Sequence, residues 1–233
     1  MEGRMNMSEF WKNINTYYKR YGLHATIVRI MDKLTGQSRV DYMTWYQKTK
    51  PTKQVLKIQR ETTFPYMPEI LVIVLENKRG SHRLADSLKN QTYSRWKLCK
   101  IRELNDVVEI LKETKEEYVL ITQPEDELSA DAFFQCVKSL NADRTIEAIY
   151  SDDDIIKNET EYEEPAMKPD LNLDMLRSCN YIHNFLLVKK KLCQELFEEC
   201  LESWNGQIDW KYDFIFRCIE EKHSIHHIAK VLY

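Results

Sequence analysis

The chain has 233 residues, of which 43% are hydrophobic, and this is enough for one substantial folded domain with a buried core. Its 34 lysines and arginines stand against 37 aspartates and glutamates, so a net charge of -3 argues against a nucleic-acid-binding protein with a strong basic field. The 6 cysteines include no Cys-x-x-Cys pair, and neither a signal-peptide region nor an apolar run of about 20 residues is present, so we expect a reduced, cytoplasmic protein.

The amino-terminal part, residues 1–60, is predicted to be a helical segment followed by a linker. Apolar and aromatic residues recur at three-to-four spacing in two runs, which Gly22 separates. The same segment carries the aromatic and basic residues Trp11, Lys12, Tyr17, Tyr18, Lys19, Arg20 and Tyr21. Two interpretations stay open for them: the aromatic rings pack on the domain or on a partner, or the segment makes peripheral contact with the inner face of the membrane.

Residues 66–233 are predicted to form one α/β domain, because strand-like and helix-like patterns alternate along them. Strands are expected at 70–75, 97–101, 118–122, 148–150 and 185–188, and again in the final HSIHHIAKVLY. Helices are expected over 84–88, 107–111, 130–140 and 210–221, with another beginning at Lys190. Such alternation calls for a mainly parallel sheet that is covered on both faces. The acidic ETEYEE at 159–164 is predicted to be a solvated loop.

Several phrases of this domain resemble, in the right order, those of bacterial family 2 glycosyltransferases. They are DSLKNQTYSRWKLCKI, YVLITQPEDEL, IYSDDDIIKN, EPAMKPDLNLDML, CNYIHNFLLVKKKL and YDFIFRCIEEKHSIHHIAKVLY. The resemblance covers most of 66–233 and implies the glycosyltransferase-A fold, a Rossmann-like sheet that binds nucleotide-diphosphate sugars. The family normally continues past the position of Tyr233, so the alternative of a domain that is truncated at its carboxyl end stays open.

The resemblance implies a transfer reaction with a divalent cation. A nucleotide-diphosphate sugar would be the donor and a glycan of the cell surface the acceptor, with Mg²⁺ or Mn²⁺ held against the phosphates. Glu125 and Asp126 fall at the metal-binding segment, although Gln123 replaces the family's first aspartate there. Donor-binding positions map onto Glu76, Glu103, Asp152 and Asp154. For Glu103 and for 125–127, a plain surface role or a helix-entry role stays open.

The position of the catalytic base departs most from the family. Lys211 stands where a catalytic aspartate belongs, and a lysine with an ordinary pKa near ~10.4 is cationic at neutral pH. Asp209 and Asp213 are the remaining candidates for a base, although Asp209 could equally cap the helix 210–221. Two functions therefore stay open: an active transferase, or an inactive homologue that serves as a binding or scaffolding partner of other glycosyltransferases.

The run Asp152 to Asp154 carries a further expectation. Three consecutive carboxylates repel one another unless a cation lies near them. Lys168, just before Pro169, is the simplest candidate for that positive charge. By contrast, His183, His226 and His227 lie in half-apolar, strand-like contexts and are predicted to be structural.

Overall fold

The computed structural model describes residues 27, 42–76, 81–156, 161–182, 184–203 and 210–233. The chain divides into two compact units, Met1–Thr49 and Lys50–Tyr233. In the smaller unit, helix α1 (Tyr42–Thr49) carries a small aromatic stack, in which the ring of Tyr42 lies 5.7 Å from both Trp45 and Tyr46. The helices predicted before residue 36, and the aromatic and basic residues 11–21, lie outside the described residues.

Helix α2 (Lys53–Glu61), which the sequence analysis grouped with the amino-terminal segment, belongs to the larger unit. Thr52 caps its first turn by accepting a hydrogen bond from the Val55 amide at 3.3 Å. The buried Gln59 donates to Asp131 at 3.3 Å and accepts from Thr92 at 3.1 Å. These buried hydrogen bonds attach α2 to the domain that follows it.

A seven-stranded mixed sheet forms the centre of the larger unit. Its strands are β1 (Ile70–Leu75), β2 (Trp96–Ile101), β3 (Tyr118–Thr122), β4 (Ala148–Ile156), β5 (Tyr162–Ala166), β6 (Leu186–Lys189) and β7 (Ile225–Val231). The order is β2-β1-β3-β6-β4-β5, and β7 also pairs with β4. Since β5 and β6 alone run against the other strands, the predicted mainly parallel α/β fold is confirmed.

Helices cover both faces of this sheet and bury the apolar strands. They are α3 (Arg83–Lys89), α4 (Asp106–Glu113), α5 (Ala132–Ala142), α6 (Leu173–Ser178), α7 (Lys190–Ser203) and α8 (Trp210–Glu220). One core cluster gathers residues of α4, α7 and α8, such as Phe197 and Phe214, and the other gathers residues of α3 and α5, such as Phe133. Because both faces are covered, every residue of β3 is buried, which explains its uninterrupted apolar sequence.

The prediction of a solvated loop at 159–164 is wrong for residues 162–164, which begin strand β5. Strand β4 continues to Ile156, beyond the part that β6 covers, and so offers backbone groups to a further strand. Glu163 pairs there with Ile155, and Tyr162 with Ile156. The acidic composition of the segment favoured a loop in the sequence analysis, so this pairing was not predicted. Among the described residues, no helix is both long and apolar enough to cross a membrane.

Candidate functional site

A pocket opens where β1 and β2 end and α3 begins. Its lining consists of Val74, Glu76, Ser81, His82, Leu84, Ala85, Leu98, Lys100 and Pro124. Five of these residues are apolar, and the charged groups are Glu76 and Lys100, whose Oε1 and Nζ atoms lie 3.0 Å apart. Ligands of open α/β sheets bind outside the carboxyl ends of the strands, which is where this pocket lies.

Beside this pocket, the acidic turn after β3 is closed by the carboxylate of Asp126. Its Oδ2 atom accepts hydrogen bonds from the Thr122 hydroxyl and from the Gln123 amide, each at 2.6 Å. Gln123 itself is exposed, and Glu125 is half-buried. The turn therefore lies at the carboxyl end of a central strand, as predicted, but Asp126 is committed to holding that turn together.

Glu127 connects the same turn to two other elements. Its Oε2 accepts from Arg83 at 3.1 Å, at the start of α3, and its Oε1 accepts from the Tyr162 hydroxyl of β5 at 3.0 Å. The ammonium of Lys50 lies 4.9 Å from the centre of the Tyr162 ring. Burial raises the pKa of Tyr162 to about 12, and Glu127 acts in the same direction.

Within the run Asp152 to Asp154, a buried lysine forms an ion pair with Asp153. Lys168 Nζ donates to Asp153 Oδ2 at 2.8 Å, and the Lys168 amide donates to Asp152 Oδ1 at 2.8 Å. Asn184 adds a second hydrogen bond to Asp153 Oδ2 at 2.8 Å. The expectation of a positive partner at Lys168 is confirmed. Burial lowers the pKa of Lys168, while the charge of Asp153 acts against this.

His227 is a member of this cluster that the sequence analysis treated as structural. Its Nε2 lies 2.9 Å from Asp152 Oδ1, and its Nδ1 lies 3.2 Å from Asp170 Oδ1. The pairing of β7 with β4 places it opposite Tyr150, and the two rings stack with their centres 4.7 Å apart. His226 is half-buried, and His183 lies outside the described residues. The strand-like alternation of β7 predicts only that His227 and His226 face opposite sides of the sheet.

Residues 232 and 233 join the two acidic segments. The Leu232 amide donates to the Asp152 carbonyl at 3.2 Å, while its own carbonyl accepts from Ser129 at 2.9 Å. The Tyr233 carbonyl accepts from the Asp154 amide at 3.1 Å. The Tyr233 hydroxyl lies 3.1 Å from that of Thr122. The turn that follows β3 and the acidic run within β4 are thus held at the same edge of the sheet, as the fold prediction requires.

The base candidates are less closely grouped. Lys211 Nζ donates to the Asn184 carbonyl at 3.1 Å. Asp213 Oδ2 accepts from Arg217 at 3.0 Å, and Arg217 also contacts Glu199 of α7 at 2.6 Å. Asp209 lies outside the described residues. Asp213 therefore takes part in the contact between α7 and α8.

The remaining donor-binding candidate, Glu103, is exposed in the turn before α4. Its amide donates to Asp106 Oδ2 at 3.2 Å, which fixes the turn. Glu103 is not one of the residues that line the pocket.

The carboxylates of the edge do not fit a divalent cation in this arrangement. Mg²⁺ and Mn²⁺ prefer several anionic oxygen ligands around one point. In the described part of the chain, no group of three or more histidine, cysteine, aspartate or glutamate side chains could hold a metal ion. Asp126 binds within its own turn, whereas Asp152 and Asp153 bind His227 and Lys168. The predicted ligands Glu125 and Asp126 thus form no metal centre with their described neighbours.

No family model matches this chain. It is 34% identical over 131 residues to the uncharacterised protein y4gI of Sinorhizobium fredii, a match that covers 55% of the chain and 14% of that protein. It is 29% identical over 111 residues to the O-antigen biosynthesis protein RfbC of Myxococcus xanthus, a match that covers 47% of the chain and 8% of RfbC. The matched part is therefore a small fraction of each of these relatives.

Two solved structures are similar to this chain at low sequence identity. TarS 1-349 of S. aureus, in complex with UDP-GlcNAc, has a TM-score of 0.48 and 12% identity, over 72% of this chain and 58% of that one. The mannosyltransferase PcManGT of Pyrobaculum calidifontis, in complex with GDP-Man and Mn²⁺, has a TM-score of 0.46 and 14% identity, over 81% and 62%.

Proposed function

We propose that the larger unit is a glycosyltransferase-like domain that binds a nucleotide-diphosphate sugar and transfers the sugar to a glycan of the cell surface. The observation that carries the proposal is the pocket at the ends of β1 and β2, with the acidic segments of β3 and β4 beside it. The partial likeness to an O-antigen biosynthesis protein supports the polysaccharide acceptor. On this proposal the protein works in the cytoplasm or at the inner face of the membrane.

The lining of the pocket suits such a donor. Val74, Leu84 and Leu98 supply apolar surface for a base and ribose, and Glu76 supplies a hydrogen-bond acceptor. Among the described residues, Lys100 forms one exposed ion pair, and its side chain is 59% exposed. Exposed ion pairs of this kind contribute about 0–1 kcal/mol to stability. A phosphate group can therefore replace Glu76 as the partner of Lys100 with little loss of free energy.

Calorimetry with UDP-GlcNAc and GDP-mannose tests the proposal. Leu98→Asp places a charge on the apolar wall and should weaken binding at least about tenfold, or about 1.4 kcal/mol. Leu171→Asp is the matched control, because Leu98 and Leu171 are exposed to similar extents, 36% and 39%, and Leu171 does not line the pocket. Absence of binding to either nucleotide sugar, or equal affinities of the two variants, would contradict a donor site in this pocket.

A second candidate function is binding without transfer, in a partner of other glycosyltransferases. The observation in its favour is Lys211, whose ammonium is bonded to the Asn184 carbonyl at the position where a base is expected. A lysine with an ordinary pKa is protonated at neutral pH and cannot accept a proton from an acceptor hydroxyl. Donor binding without release of nucleotide diphosphate, over a panel of glycan acceptors, would favour this second function.

A further inference from the structure

The pocket at the ends of β1 and β2 encloses a small volume. It measures about 240 Å³, whereas sites that surround a whole small-molecule ligand typically measure about 300–1,000 Å³. Its apolar lining consists of Val74, Leu84, Ala85, Leu98 and Pro124. A nucleobase has flat faces that pack well against such side chains, while the sugar and phosphate groups of a nucleotide are polar all round. The base is therefore the part of a nucleotide-diphosphate sugar that this pocket suits best.

Glu76 is the one carboxylate among the described residues that line the pocket. Its amide donates to the Ile101 carbonyl at 2.8 Å, which fixes its backbone directly after β1. Its side chain is 45% exposed, so a ligand can reach it. The other polar side chains of the lining, Ser81, His82 and Lys100, can all donate hydrogen bonds, whereas a carboxylate only accepts them. Glu76 therefore selects for the hydrogen-bond donors of a base.

A carboxylate offers two acceptor oxygens side by side, and among the common bases this arrangement matches guanine. Guanine presents N1–H and the N2 amino group next to each other, so both can donate to one carboxylate. Uracil presents its single N3–H between two carbonyl oxygens, and adenine and cytosine present an amino group beside an acceptor nitrogen. With these three bases, one hydrogen bond to the carboxylate brings an acceptor against its second oxygen. The carboxylate thus selects against them as well as for guanine.

We propose that this pocket selects guanine nucleotides, and that Glu76 determines the specificity by accepting hydrogen bonds from guanine N1–H and N2–H. The ligand in this statement rests on the proposed function. Both oxygens of Glu76 are needed, and Oε1 lies 3.0 Å from Lys100 Nζ in the structure. Because an exposed ion pair of this kind is weak, the lysine can turn to a phosphate group and leave Oε1 to the base.

Calorimetry with GDP, UDP, ADP and inosine diphosphate tests the selection from the side of the ligand. Inosine diphosphate lacks only the N2 amino group of GDP, so it is the matched control ligand. We expect GDP to bind at least about tenfold more tightly than UDP and ADP, and about three- to tenfold more tightly than inosine diphosphate. If UDP, ADP or inosine diphosphate binds as tightly as GDP, the inference is overturned and the proposed function stays intact. Absence of binding of all four nucleotides would overturn the proposed function, and the inference with it.

Glu76→Gln tests the selection from the side of the protein. The amide keeps one acceptor but replaces the other with an NH₂ donor, so it cannot accept from both guanine groups. GDP should bind to this variant at least about tenfold more weakly, while the affinity for UDP should change by less than about threefold. Glu109→Gln is the matched control and should bind GDP as wild type does. Glu109 is also an exposed glutamate paired with an exposed lysine, Lys112, at 2.8 Å, and it does not line the pocket.

The outcome that would contradict the role of Glu76 is an equal loss of affinity for GDP, UDP and ADP in Glu76→Gln, with the variant shown to be folded by circular dichroism. Such a loss would assign Glu76 to a part that all nucleotides share, such as the ribose, and would overturn the inference. Unchanged binding of GDP to Glu76→Gln would overturn it as well.

Discussion

Removal of the Lys168 ammonium should destabilise the domain strongly. Lys168 and Asp153 form a buried ion pair at 2.8 Å, with side chains that are 1% and 4% exposed. In Lys168→Met, the Asp153 carboxylate would keep Asn184 as a hydrogen-bond donor but would lose its positive partner. Breaking a buried pair from one side typically costs about 3–5 kcal/mol, because an uncompensated charge stays buried. For a domain of this size that corresponds to a fall in Tm of about 6–20 °C.

Urea unfolding followed by tryptophan fluorescence measures this loss. Lys138→Met removes an exposed lysine from α5 and should change the free energy of unfolding by no more than about 0.5 kcal/mol. The double variant Lys168→Met/Asp153→Asn should be more stable than Lys168→Met, because it removes the stranded charge. A Lys168→Met protein within about 1 kcal/mol of wild type would refute the assignment of Lys168 as the counter-charge of the acidic run.

Three further outcomes are expected. Burial lowers the pKa of His223, but hydrogen bonds to Glu147 and Glu221 outweigh this and raise the pKa above 6.5. The protonated side chain therefore stabilises the fold below pH 6.5, and this stabilisation is lost as the pH rises through the raised pKa. The difference in free energy of unfolding between wild type and His223→Gln should shrink over the same rise in pH. Burial acts to raise the pKa of Glu116, yet hydrogen bonds from Lys97 and Thr114 lower it from 4.5 to about 2. The ionised side chain therefore stabilises the fold above pH 4.5, and this stabilisation is lost as the pH falls towards 2. If the free energy of unfolding of Glu116→Gln falls as much as that of wild type between pH 4.5 and pH 2, this reasoning is contradicted. Lys211→Asp should raise the rate of nucleotide release from a donor sugar by about 10²-fold or more if only the base is missing, while Lys211→Asn, which lacks the carboxylate, should not.

Most of the central sheet could be predicted from the sequence because its signals are local. The apolar runs of β1 and β3 are long enough to require burial on both faces, and the turn after β3 follows from where that run ends. The partner of the acidic run could also be predicted, because carboxylates that repel one another must find a positive charge, and Lys168 was the candidate that the sequence analysis named.

The rest depends on contacts between distant parts of the chain. Strand β5 forms because β4 offers an uncovered edge, which no property of 162–166 reveals. Lys50 stands in a polar stretch before α2, and its approach to Tyr162 requires both β5 and the folded turn that holds Glu127. The sequence analysis assigned Glu125 and Asp126 as metal ligands. In the structure, the Asp126 carboxylate accepts hydrogen bonds within its own turn.

The contacts of Leu232 and Tyr233 determine which part of the domain can fold first. The Tyr233 hydroxyl meets that of Thr122 across 111 residues of sequence. During synthesis, when earlier parts of a chain fold first, the sheet can collapse before the two acidic segments are joined. The edge that carries the candidate site is complete only once residue 233 has left the ribosome. A ligand that requires this edge can therefore stabilise the folded domain, but it cannot guide the folding of the strands that form before residue 233 is made.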